Sequence, residues 1–148
     1  MGSSKQDSIV SLNLSHISDI EALLGGCNLP FADCSEHIQN FAGVIDKNKL
    51  MAIGALQYEG SVALLRSIAV RPHSRGRGLA STITHHFIEQ ARSRDVRHLY
   101  ILTETAETYF SRFGFYPITR DAAPAAIQAT QQFESLCPAS AQLMRLDL

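Results

Sequence analysis

The residues whose types and spacing carry the most chemistry are Arg75-Gly76-Arg77-Gly78-Leu79-Ala80-Ser81. Small residues at Gly76, Gly78 and Ala80 let the backbone close on a ligand, and the first amides of a helix starting there carry partial positive charge. Such a turn suits a phosphate or diphosphate, and Arg75 and Arg77 add local charge to it. A P-loop is excluded, because no Gly-Lys-Ser/Thr follows. The dinucleotide fingerprint matches the first two glycines, with Glu104 as its distant ribose-binding carboxylate. Against it, Ser81 stands where the third glycine belongs, and the segment ahead of the turn is no βαβ opening.

Arg66 places a charge inside the apolar run from Val62 to Val70, on the face that strand alternation shares with Ile68 and Val70. A guanidinium there either grips a carboxylate, phosphonate or arsonate bidentately or pairs with an acid on the next strand. Glu104 follows the apolar run from Val96 to Leu102 and is either a general base or a charge that favours the start of the next helix. His85 and His86 diverge too far around a helix to chelate a metal together. Cys27, Cys34 and Cys137 lack CxxC or Cys/His zinc spacing, so isolated buried thiols in a reducing compartment are expected, and no metal site.

The elements that must position these residues follow from periodicity. A first strand is expected over Ser8 to Leu14, a short helix from Ser18 to Leu24 stopped by Gly25-Gly26, and a helical turn around Ser35 to Gln39. Strands over Asn40 to Ile45, Leu50 to Tyr58 and Ser61 to Val70 are joined by turns too short for parallel crossovers, so they form an antiparallel meander. Within it, Gly54 marks a bulge or a close approach. Leu79, Ile83, Phe87 and Ala91 recur at helical spacing and make one apolar stripe between Gly78 and Arg92. Val96 to Leu102 returns as a strand parallel to the one before that helix. A second helix from Ala106 to Phe113 is capped by Gly114, and a strand begins at Phe115. Pro124 to Ala129 and Gln131 to Leu136 look helical or irregular, and Ala141 to Leu146 makes a last strand. The fold class is α+β, a mixed and largely antiparallel sheet with one βαβ crossover.

A length of 148 residues predicts one domain, and 45% apolar with 18% charged residues predicts a packed core rather than disorder. Thirteen Lys and Arg against fourteen Asp and Glu leave a net charge of -1, which removes any broad attraction to nucleic acid or anionic membrane. No run approaches the roughly 18 apolar residues of a membrane span. The start, Met1 to Gln6, carries no signal-peptide stretch, and Gln6 stands where a myristoylation motif needs Ser or Thr. A soluble, cytoplasmic chain is expected.

With the turn set between its strand and helix, Arg75, Gly78 and Ala80 resemble the central motif of the GNAT acetyltransferase superfamily, Arg/Gln-x-x-Gly-x-Gly/Ala. Ile68-Ala69-Val70 resembles the Leu-Ala-Val strand end of that family, and Tyr109-Phe110-Ser111-Arg112-Phe113-Gly114-Phe115 resembles its second signature, Phe-Tyr-x-Lys-x-Gly-Phe. The likeness covers the stretch from Ile38 to Phe115. A narrower one, carried by Leu64 to Val70, Leu102 to Ala106 and Thr130 to Ala141, is to small acetyltransferases associated with arsenic resistance.

The resemblance implies a GNAT-like sheet splayed at its central parallel strands and flanked by helices, with acetyl-coenzyme A as acyl donor. It implies a pantetheine arm along the backbone of Ile68, Ala69 and Val70, and a diphosphate on the amides of Arg75, Gly76, Arg77, Gly78, Leu79 and Ala80, with a hydroxyl from Ser81. Thr103, Ala106, Tyr109, Phe110 and Arg112 complete the implied cofactor contacts. The Val70 amide would meet the oxyanion, Glu104 would take the acceptor's proton, Arg66 would grip the acceptor, and Phe31 would wall it. The sequence departs from the family in two places. Alignment on Gly114-Phe115 puts Phe110 where the family often has a proton-donating Tyr, with Tyr109 about 100° away around the helix, and Thr103 replaces a common Asn. The expected acceptor is a small-molecule amine: an amino acid, an analogue of one or an amino-arsenical. A protein N-terminus or lysine is the second reading, and an acyl-coenzyme A sensor without turnover the third. Homodimers are common in the family.

Overall fold

Left-handed residues make the tight turns that set the first half of the sheet. Lys47 and Asn48, at φ 52° and 63°, turn β2 (Phe41–Asp46) back into β3 (Lys49–Glu59). Gly60, at φ 71°, does the same between β3 and β4 (Val62–Val70). The computed structural model describes residues 8–148; the expectations on Met1 to Gln6 lie outside them. The remaining elements are β1 (Val10–Ser11), α1 (Ile17–Gly26), α2 (Leu79–Ser93), β5 (His98–Thr103), α3 (Glu107–Ser111), β6 (Tyr116–Ile118), α4 (Ala125–Gln128) and β7 (Gln142–Asp147). Together the strands make the expected mixed sheet, seven-stranded in the order β1-β2-β3-β4-β5-β7-β6. β4 and β5 pair in parallel over Val62↔His98, Ala63↔Leu99 and Leu64↔Tyr100, and that register ends there although β4 runs on to Val70 and β5 to Thr103. β5 then continues against β7, up to Thr103↔Gln142. No described helix is long and apolar enough to cross a membrane.

The chain divides into two compact units, one of residues up to Leu56 with Ser67–Glu89, the other Gln57–Arg66 with Gln90–Leu148. In the first, Ile20, Leu24, Phe41, Ile53 and Ala69 belong to one buried cluster. The predicted stripe of α2 is buried throughout, Leu79 at 3%, Ile83 at 0%, Phe87 at 1% and Ala91 at 0% exposed. Gly54 is a close approach: a Cβ there would stand 2.7 Å from Ile68 Cδ1 and from Ile83 Cγ2. The second unit packs Val62, Leu64, Tyr100, Ile127 and Leu143 into its own cluster.

Three expectations need correction. β1 is only Val10–Ser11, because Leu14 to His16 form a 3-10 turn capped by Asn13. α1 does not stop at Gly25-Gly26 but includes both. The left-handed residue that ends it is Asn28, at φ 59°, with Leu29 N–H donating to Leu24 O and Asn28 N–H to Gly25 O, the paired bonds of a Schellman cap. The second predicted helix shrinks to Glu107–Ser111, with Gly114 at φ 101° turning the chain toward β6.

In the second unit β5, β6 and β7 share a polar cluster. Tyr116 donates to Asp147 at 2.9 Å, Arg145 Nε donates to Tyr116 Oη at 2.7 Å, and His98 meets Asp147 at 2.9 Å. The Tyr116 hydrogen bond is the main cause holding the Asp147 carboxyl below the usual range, helped by His98 and Arg145. A depressed folded-state value stabilises the fold above the ordinary Asp pKa, and that contribution disappears as pH falls through the lowered value. Thermal melts of Tyr116→Phe are therefore expected to lose less midpoint temperature than the parent below the ordinary Asp value; an unchanged acid slope would count against the cluster. Gly54→Ala is expected to cost about 1–3 kcal/mol in denaturant unfolding, from overpacking against Ile68 and Ile83.

Candidate functional site

The backbone of β4 breaks its pleat at Ser67, which sits at φ 62° inside the strand. For a residue with a Cβ this costs about 1 kcal/mol. The sequence contains no glycine to announce it. It also removes the assumption that Arg66, Ile68 and Val70 follow one alternating face, since a left-handed residue interrupts the alternation.

After Val70 the chain is fastened at once. Arg71 N–H donates to Met51 O at 2.8 Å and Arg71 Nε to Leu50 O at 3.1 Å, which ties the exit of β4 to the start of β3. Pro72–Ser74 make a 3-10 turn, and Ser74, 1% exposed, reaches Met51 Sδ with its hydroxyl. The carbonyl of Val70 accepts from Arg75 Nε at 3.3 Å and from the Cys27 thiol at 3.8 Å, while Arg75 Nη2 donates to Cys27 Sγ at 3.4 Å. Arg75 thus anchors the turn from within: its guanidinium holds Val70, and its amide donates to Pro72 O. The amides available to a ligand begin at Gly76.

Gly76 and Gly78 take φ 83° and 77°, and a Cβ on either would meet nothing within 4 Å. Space is open beside both. α2 opens with Thr82 N–H donating to Gly78 O, and among the described residues the amides from Gly76 through Arg77, Gly78, Leu79, Ala80 and Ser81 make no backbone hydrogen bond. A row of unsatisfied amides at the start of a 15-residue helix, beside open space, fits a diphosphate.

The second unit gathers the other predicted residues onto one strand end and the turn after it. Thr103 Oγ1 accepts from Ala106 N–H at 3.0 Å, which orders the entry to α3 and leaves the hydroxyl proton to donate. Glu104 is exposed and accepts from Ser140 Oγ at 3.4 Å. Phe110, 5% exposed, lies among Tyr109, Phe113 and Phe115 with ring centroids 5.2 to 6.4 Å away. Burial pushes the Tyr109 phenol above its ordinary value, with the Arg112 charge opposing. Arg112 itself is exposed.

Arg66 is 3% exposed and donates to Gln57 Oε1 at 3.1 Å; Gln57 Nε2 passes the chain on to Glu59 at 2.9 Å. On the neighbouring strand it meets the Gln57 amide, with the Glu59 carboxylate one step further. Phe31, 42% exposed, follows α1 in the first unit and lies beside Gly25. All three cysteines are free thiols. Cys34 is buried as expected, but Cys27 and Cys137 are only partly buried, and Cys27 serves the Val70–Arg75 cluster, a role that no local pattern announces across 43 residues of chain. Among the described residues no group of three or more His, Cys, Asp or Glu is placed to hold a metal ion.

Gly26 and Gly78 both have empty space where a Cβ would go, but only Gly78 has left-handed backbone. Gly78→Ala is expected to lower stability by about 1 kcal/mol and Gly26→Ala, in α1, to raise it by about 0.5 kcal/mol. Equal effects in thermal unfolding would show that the turn is not held left-handed.

Residues 19–115 match the family model described as "Acetyltransferase (GNAT) family". No curated protein matches the chain. Among solved structures, Rv2747 from Mycobacterium tuberculosis in complex with CoA and NLQ superposes with a TM-score of 0.80 at 20% identity, covering 95% of this chain and 99% of that one. N-acetylglutamate synthase from Neisseria gonorrhoeae, complexed with coenzyme A and N-acetyl-glutamate, gives 0.82 at 20% identity over 95% of this chain but only 35% of its own. The ribosomal-protein-S18-alanine N-acetyltransferase of Escherichia coli gives 0.70 at 19% identity, over 95% and 92%. The likenesses show a shared fold, and the family match, covering well over half of the sequence, shows what kind of enzyme carries it: the chain belongs to the GNAT acetyltransferase family, acyl-coenzyme A dependent N-acyltransferases.

Proposed function

We propose that this protein moves an acetyl group from acetyl-coenzyme A to the amine of a small molecule. The observation that carries the reading is the left-handed glycine turn with its unbonded amides leading into α2. Amides from Gly76 to Ser81 hold the diphosphate, with the Ser81 hydroxyl beside them and Arg77 adding charge. The backbone of Ile68, Ala69 and Val70 offers strand-edge groups to the pantetheine amides, and Thr103, Ala106, Tyr109, Phe110 and Arg112 are assigned to the remaining cofactor contacts. Acetyl-coenzyme A, when bound, supplies the activated acyl carbonyl. The Val70 amide donates to the oxygen that gains charge, in the manner of an oxyanion hole.

An ammonium near pKa 10 must lose its proton before it can attack. Glu104, exposed at the end of β5 and oriented by Ser140, takes that proton directly or through one water. Phe110 cannot protonate a departing thiolate, and Tyr109, whose phenol burial pushes above its ordinary value, is the phenol on the same helix. Arg66 is assigned to the buried chain with Gln57 and Glu59, and Phe31 to the acceptor's apolar wall.

A thiol-release assay with acetyl-coenzyme A against amino acids, amino-arsenicals and peptides tests the reading, beside calorimetry with coenzyme A. Turnover on small amines is expected. Glu104→Gln is expected to lower kcat by about 100-fold or more with coenzyme A affinity unchanged. No uptake of coenzyme A by the parent protein would overturn the proposal, and uptake with turnover on peptides alone would overturn its small-molecule part.

A further inference from the structure

An open cleft of about 490 Å³ lies in the second unit between the end of β6 and the start of β7, lined in part by Thr119, Arg120, Ser140 and Gln142. That size falls within the range of small-ligand sites. Arg120 is fixed there on neutral partners only. Nη1 donates to Ala141 O and Nη2 to Phe133 O, both at 3.1 Å, and the guanidinium lies 4.5 Å from the centre of the Phe133 ring. A guanidinium has five N–H donors, so three remain beyond these two bonds. Among the described residues no carboxylate pairs with Arg120, and the cleft lining contains no acid. At the other edge Ser140 donates to Glu104, so the negative charge of the candidate base stands at the cleft's rim.

We infer that this cleft is the acceptor's anion subsite and that Arg120 is a specificity-determining residue selecting amines that also carry a carboxylate. The inference rests on the proposed small-molecule acetyl transfer with Glu104 as base, and adds binding rather than a new chemical step. A free amino acid is a zwitterion and complements both ends: its carboxylate meets the rigid fork of Arg120, and its ammonium meets Glu104, which deprotonates it. Rigidity matters because Arg120 is already immobilised by Ala141, Phe133 and the aromatic ring, so little freedom remains to be lost when an anion docks. A peptide N-terminus, whose α-carboxyl is an amide, brings no charge to that fork.

The test compares each amino acid with its own primary amide as acceptors for the parent protein, in the thiol-release assay. The acid is expected to exceed the amide by about 10- to 100-fold in kcat/KM, the scale of a charge-assisted hydrogen-bonded pair, with the difference lying in KM. Arg120→Gln is expected to level the two, and Arg120→Lys to restore part of the preference. Thr119→Glu, an exposed substitution on the cleft wall that disturbs none of the Arg120 bonds, is expected to weaken the acid about 10-fold and spare the amide. Equal use of acid and amide by the parent overturns the inference, as does a preference that survives both Arg120→Gln and Thr119→Glu. Calorimetry with coenzyme A separates the two levels: uptake without acid preference sinks the anion subsite alone, whereas no uptake sinks the parent reading and this one with it.

Discussion

Much of the site hangs on one carbonyl. Val70 O accepts from the Arg75 guanidinium and the Cys27 thiol, and the next amide, Arg71 N–H, donates to Met51 O. One peptide plane is therefore held from both sides, at the point where β4 ends and the turn begins. The plane links β3, the end of α1 and the exit of β4, and only the short Pro72–Ser74 turn separates it from the left-handed glycines. Each bond contributes on the order of 1 kcal/mol to stability. Their larger effect is directional, because a row of amides binds an anion well only if the row is already aligned when the anion arrives.

Charge is handled differently in the second unit. Arg66 is buried and donates to Gln57, whose amide in turn donates to Glu59, and Arg145 is paired with Asp147 at 2.9 Å. Arg120 is held instead by two carbonyls and an aromatic face. With a net charge of -1 over the whole chain, no global field can sort ligands by sign. Any such discrimination has to come from single residues placed in this way.

The sequence is most legible where one residue type answers one physical need. The stripe Leu79, Ile83, Phe87 and Ala91 is fully visible at helical spacing and is buried throughout. Gly54 was legible as a bulge or a close approach, and the structure makes it the second, because nothing larger than hydrogen fits beneath α2. The turn at Gly76 and Gly78 showed itself because few residues besides glycine tolerate positive φ. What stayed hidden uses residues that are not specialists. Ser67 breaks β4 without a glycine, and Asn28 ends α1 after two glycines that remain helical. Cys27 and Arg120 act through partners distant in the chain, on backbone carbonyls present at every position, so no side-chain pattern could point to them.

The two compact units are threaded through one another in the chain: the path leaves the first after Leu56, returns at Ser67 and leaves again after Glu89. A single cut or fusion point cannot release either as one uninterrupted stretch. The glycine turn belongs to one of these interleaved units and the carboxylate after β5 to the other, so no single contiguous fragment limited to one unit carries both.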